Sequence, residues 1–120
     1  MRIAYLVKRS GWQAFAELKQ EDRIRRLYAK GDPTARRLRA AHEAHLTTVE
    51  ETLDAFHSLG VKAVKIGPRT KDLTRDRFDL VVSIGGDGTL LRASHRVSDV
   101  PVVGINSDPR TSVGFFCGIC

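Results

Sequence analysis

Phe78-Asp79-Leu80-Val81-Val82-Ser83-Ile84 runs directly into Gly85-Gly86-Asp87-Gly88-Thr89, and Leu90-Leu91-Arg92-Ala93 follows. The first segment is apolar almost without alternation, the pattern of a parallel strand covered on both faces. The glycines end it at once. Leu90 to Val97 then has the composition of a short helix. A buried strand, a glycine-rich turn and a helix in direct succession make one βα unit of an α/β fold.

The same alternation recurs outward from this unit. Ile3-Ala4-Tyr5-Leu6-Val7 reads as a buried strand, with Ser10-Gly11 as a turn. Trp12, Phe15 and Leu18, then Ile24, Leu27 and Tyr28, keep helical spacing in two broken groups and predict one or two short helices. Lys30-Gly31-Asp32-Pro33 ends them: Gly leaves the helix, Asp caps the next one and Pro suits its first turn. From Thr34 to Leu59 the pattern is strongly helical. Leu46, Val49, Leu53 and Phe56 step by helical intervals and are expected on one buried face, with Gly60 as the stop. Val61 to Ile66 reads as a second strand closed by Gly67-Pro68, Lys71 to Arg77 as a loop, and Val100 to Ile105 as a fourth strand. After Asn106 the chain is expected to turn through Asp108-Pro109. Alternating strands and helices predict a parallel sheet of right-handed βαβ units. Ligands in such sheets bind beyond the carboxyl ends of the strands. Gly85–Thr89 and Asn106–Asp108 both lie there, and a shared crevice is expected.

A chain of 120 residues sets an expectation of one domain, and 42% apolar with 28% charged residues is a globular composition. The net charge of +6 favours anionic partners: nucleotides, nucleic acid or acidic lipids. The arginines between Arg23 and Arg39 read as a solvated helix face. Arg36, Arg37 and Arg39 nevertheless stand in the first turns of a helix whose later turns hold Glu50, Glu51 and Asp54, an order that opposes the helix dipole. Either that helix starts earlier or these arginines meet an anion. There is no aromatic-rich basic run of the kind that stacks bases, and no apolar run approaches the roughly 18 residues of a membrane helix. Neither a nucleic acid nor a membrane is expected as partner. The chain enters its first strand without a signal-like segment, so a soluble, cytoplasmic protein is expected. Cys117 and Cys120 lack a second ligand pair for zinc and are expected to be reduced and structural.

The chemistry lies in Gly85-Gly86-Asp87-Gly88-Thr89. Three glycines within four residues permit positive φ and remove the Cβ atoms that keep a ligand off the backbone. The helix expected to begin near Thr89 presents unpaired N–H groups and a positive dipole end, a site for phosphate. Thr89 can cap that helix or bond a phosphate oxygen. A carboxylate repels phosphate, so Asp87 makes sense as a ligand of Mg²⁺ or as the base that takes a proton from an attacking hydroxyl. Arg92, one turn on, offsets phosphate charge. The glycine spacing is not the dinucleotide fingerprint, and no Lys follows as in a P-loop.

Gly-Gly-Asp-Gly-Thr resembles the signature of a kinase superfamily that includes NAD kinases and diacylglycerol or sphingosine kinases. Lipid kinases usually continue with an Asn-Glu pair; Leu90-Leu91-Arg92-Ala93 looks like NAD kinase instead. Gly104-Ile105-Asn106-Ser107-Asp108-Pro109 also resembles the NAD kinase segment after the next strand, in the form of the branch that includes the mitochondrial enzyme. The long helix before the motif and Lys8 after the first strand fit that branch.

The resemblance implies an activity: transfer of phosphate from ATP, carried with Mg²⁺, to the 2′-hydroxyl of the adenosine ribose of NAD. Some members use polyphosphate. It assigns Asp87 as catalytic general base, places Gly88 and Arg92 at the NAD site, and puts Asn106 in the neighbouring loop. With Gly85, Gly86 and Thr89 these are the candidate nucleotide-binding residues; no residue is assigned as a metal ligand. Family members usually have Gly two residues after that Asn, where this chain has Asp108. They also continue into a β-rich domain that holds the NAD and that residues 1–120 do not contain. The chain is therefore read as the N-terminal α/β nucleotide-binding domain, inactive by itself and homo-oligomeric in full-length form. A lipid kinase domain and a non-catalytic nucleotide-binding module are the alternatives.

Overall fold

The computed structural model describes residues 1–9, 21–67, 70 and 73–107. The expected turn at Ser10-Gly11, the helical group around Trp12, Pro68, the Asp108-Pro109 turn, Cys117 and Cys120 lie outside the described residues.

Strand β1 (Arg2–Val7) is followed by helix α1 (Glu21–Ala29), helix α2 (Pro33–Ser58), strand β2 (Lys62–Lys65), strand β3 (Leu80–Gly85), helix α3 (Asp87–Ser94) and strand β4 (Val102–Asn106). The four strands form one parallel sheet in the order β2-β1-β3-β4. Their alternating side chains feed two cores. Ala4, Leu6 and Val81 pack with Leu73, Phe78, Val100 and Ala93 of α3 on one face. Ile3, Val82 and Ile84 pack with Tyr5, Val49 and Phe56 on the other, where α2 lies. The Tyr5 and Phe56 rings meet with centroids 6.0 Å apart. β3 is covered on both faces, as its unbroken apolar run requires. Among the described residues no helix is long and apolar enough to cross a membrane.

The punctuation expected around α2 is present. Gly31 takes φ 79° after α1, and the Asp32 carboxylate accepts from the Ala35 N–H at 3.0 Å with Pro33 in the first turn. Gly60 takes φ 68° beyond the far end. Since α1 and α2 are separate helices, the arginines of α2 do belong to its first turns; Arg39 pairs with Glu43 one turn on, at 3.1 Å.

Two expectations need correction. The buried face of α2 is rotated from the one its leucines suggest: Leu46 is 42% exposed, while His42, His45 and Thr52 are buried beside the half-buried Val49 and Phe56. His45 goes inward because it meets Ser107 beyond the end of β4, and Thr52 does so because its hydroxyl donates to the Thr48 carbonyl of its own helix at 2.7 Å. The segment from Lys71 to Arg77 also holds a core residue: Leu73 is fully buried and bridges to Val97.

Candidate phosphate and nucleotide site

The strand order reverses between β1 and β3, because the chain leaves β1 toward β2 on one side and returns to β3 on the other. Open α/β sheets bind ligands at this switch point, outside the carboxyl ends of the strands. Lys8 follows β1 and the glycine motif follows β3 here, tied by the Lys8 N–H donating to the Ile84 carbonyl at 2.8 Å. One strand further, Gly85 is in register with Asn106, and the Ser107 N–H donates to the Gly85 carbonyl at 2.9 Å. The motif and the Asn106 loop thus share one rim of the sheet, as expected.

Within the motif the helix starts two residues earlier than Thr89. Gly86 is the N-cap, and Asp87, Gly88 and Thr89 form the first turn of α3. Gly86 brings no side chain to the first-turn N–H groups, and no side-chain cap bond satisfies them. Thr89 is buried within the turn and is not the cap. Among the described glycines, positive φ belongs to Gly31 and Gly60, not to the motif. Gly86 is extended, at φ −128° and ψ −163°, a conformation open to any residue. Gly85 serves space instead. A Cβ on Gly85 would stand 2.6 Å from the Lys8 Cβ and 2.7 Å from Thr89 Oγ1. A Cβ on Gly88 would meet nothing within 4 Å.

Beside the motif lies a cavity of about 440 Å³. Its walls are Leu6 to Arg9 at the carboxyl end of β1, Lys65 to Gly67 at that of β2, and Thr89 with Arg92 of α3. Lys8, Arg9, Lys65 and Arg92 supply positive charge, and among the described residues no carboxylate is in the lining. Such a concave surface of one sign concentrates anions. Arg92 is also tethered along its own helix, Nε donating to the Gly88 carbonyl at 3.4 Å. Of the expected site residues, Thr89 and Arg92 line this cavity; Asp87, Gly88 and Asn106 do not. Asp87 stands in the first turn of α3, and Asn106 is 97% buried at the end of β4.

The cations Lys8, Arg9 and Lys65 come from two other strand ends, and sequence reasoning named only Lys8. It also missed the α2 histidines. His45 Nδ1 lies 2.7 Å from Ser107 Oγ, and Thr48 Oγ1 reaches the Ser107 carbonyl at 3.5 Å. The neighbouring His42 is held below the ordinary imidazole pKa by burial, then by Arg39, with Glu43 opposing. The available signal was the spacing of His42, His45 and Thr52, which marks one helix face.

Comparison with known proteins now bears on the site. Over 106 residues the chain is 36% identical to "NAD kinase 2, mitochondrial" of Homo sapiens, covering 86% of this chain and 24% of that protein. The mouse protein of the same name is also 36% identical, over 86% of this chain and 23% of its own length. A shorter stretch of 32 residues is 72% identical to the "Probable NADH kinase" of rice, covering 26% of this chain and 10% of that protein. The chain spans about a quarter of the length of the human relative. The expectation of a cytoplasmic protein is overturned here, since the human and mouse relatives are named as mitochondrial. Residues 33–117 match the ATP-NAD kinase N-terminal domain, a span that includes α2, the glycine motif and the Asn106 loop, and the chain belongs to the ATP-NAD kinase family.

Proposed function

We propose that this domain provides the phosphate-handling half of an NAD kinase, which transfers a phosphoryl group from ATP to the 2′-hydroxyl of the adenosine ribose of NAD. One observation carries the reading: a glycine motif with an internal carboxylate adjoins a cationic cavity where the strand order reverses. A cavity with four cationic side chains suits the triphosphate of the donor. Thr89 and the open end of α3 supply neutral donors to the same phosphates. Asp87 takes the proton of the attacking hydroxyl, and Gly88 leaves room for the acceptor ribose. Asn106, held in register with Gly85, faces the acceptor side.

Among the described residues no three His, Cys, Asp or Glu side chains converge on a metal position. Mg²⁺ typically keeps few protein ligands and shares the phosphates of its nucleotide. Asp87 is the one motif carboxylate able to contribute. When bound with ATP, the ion neutralises charge on the transferred group. Both the acceptor clamp and the full burial of a dinucleotide need more wall than these residues offer, so residues 1–120 by themselves are expected to be inactive.

Lys8→Ala in the full-length protein tests the assignment of the cavity. Loss of one charge-assisted hydrogen bond is worth about 1.5–3 kcal/mol, so KM for ATP is expected to rise at least about tenfold. Affinity for NAD should stay within about twofold. A variant that loses NAD affinity and keeps its KM for ATP would place the acceptor, not the donor, in the cavity. Gly86→Val addresses the motif itself. The extended backbone at Gly86 suits a branched residue but the position is buried, so the expected effect is a loss of nucleotide binding larger than the loss of stability. Calorimetric titration beside thermal melting checks this; undiminished binding would mean that the glycine serves only the turn.

A further inference from the structure

We infer that His45 is a positioning residue for the nucleotide site, acting through Ser107. Two side chains of α2 and the last carbonyl of β3 converge on Ser107, which is 2% exposed. Its hydroxyl meets His45 Nδ1 at 2.7 Å, its N–H donates to the Gly85 carbonyl at 2.9 Å, and its carbonyl faces Thr48 Oγ1 at 3.5 Å. His45 is itself 3% exposed, on the inward face of α2. The contact joins residues 62 positions apart in sequence, so it ties the long helix to the rim of the sheet.

The chemistry of the joint explains why it matters. Ser107 immediately follows Asn106, and its N–H holds the first glycine of the motif. Any displacement of Ser107 moves both the Asn106 side chain and the entry to α3. A buried polar contact of this kind is costly to leave half-made, so the loop is held in one place. Loops at parallel strand ends have few other restraints, and a shift of about 1 Å at a reacting centre costs about 10²-fold in rate. His45 touches no reacting atom in this arrangement; it sets where Ser107 stands. The inference rests on the kinase reading only for its consequence in catalysis, not for the joint itself.

The test uses the full-length protein with His45→Ala, His45→Asn, Ser107→Ala and the His45→Ala/Ser107→Ala double variant. Asn carries a polar atom where His has Nδ1. Amide hydrogen exchange at Ser107 reads the joint without any ligand, and kcat/KM for NAD reads its consequence. His45→Ala is expected to speed Ser107 exchange at least tenfold and to lower kcat/KM about tenfold. His45→Asn should recover most of both, and the double variant should be no worse than either single one. Unchanged exchange in His45→Ala overturns the inference, as does full additivity in the double variant. If His45→Ala does not fold, His45→Asn and Ser107→Ala decide the matter through the same two readings. A wild-type protein that fails to phosphorylate NAD but shows the exchange effect refutes the kinase reading and leaves the joint standing.

Discussion

Asp87→Asn in the full-length protein is expected to cut NADP formation by about 10²–10⁴-fold, the usual loss on removing a general acid or base, while the protein stays folded. The structure shows why the two effects should separate. Asp87 is in the first turn of α3, half-buried, where a carboxylate gains from the helix dipole. Losing the dipole contribution costs about 0.3–1 kcal/mol, far less than a domain's stability of about 5–15 kcal/mol. Asn is nearly isosteric and keeps a hydrogen-bonding oxygen. If Asp87 were only a favourable first-turn residue, the variant would melt slightly lower and work normally. Steady-state assays of NADP formation beside a thermal melt distinguish these cases. Near-normal turnover in a folded variant would remove Asp87 from the chemistry and leave the motif as a phosphate cradle.

The strands were legible because burial on both faces leaves a local trace. Val81, Val82 and Ile84 are apolar in sequence and buried in fact, and the residues past their ends could be named without knowing the strand order. Caps were legible for the same reason: the Gly31, Asp32 and Pro33 signals act within one turn. What escaped was everything set by topology. The β2-β1-β3-β4 order brings Lys65 and Arg9 to the cavity with Arg92, and no local pattern encodes that meeting. Val49 and Phe56 of the expected face do meet the core, but the polar part of that face escaped because hydrophobic periodicity assumes an apolar neighbour. His45 instead meets the polar Ser107 beyond the end of β4, so burial and hydrophobicity part company. The role of Gly85 was half legible: a need for glycine was clear, yet the backbone there uses its lack of a Cβ and not freedom of φ.

That distinction predicts that Gly85 and Gly88 respond in opposite ways to one methyl group. Gly85→Ala is expected to be severely damaging. The new Cβ would sit 2.6 Å from the Lys8 Cβ and 3.1 Å from the Thr89 Cβ. Neither neighbour is the loose tip of a long side chain. A Cβ moves only with its backbone, and the Lys8 backbone is held by its bond to Ile84. Relief therefore requires β1 or α3 to shift. Overpacking of this kind costs about 1–3 kcal/mol, occasionally more, which should lower the melting temperature by several degrees. It should also displace the motif from the strand end, and displacement of about 1 Å is enough to cost 10²-fold in rate. Gly88→Ala meets open space, and Ala is favoured over Gly in a helix by up to about 1 kcal/mol. Its stability should be unchanged or raised. Any loss of nucleotide affinity there reports a ligand pressed against the backbone, since the protein itself has no use for the vacancy. Melting curves and NAD titrations on the two full-length variants make the comparison. A Gly85→Ala protein as stable and active as wild type would show that β1 and α3 yield freely, and the close seam between Lys8 and Thr89 would lose its place in the account of the site.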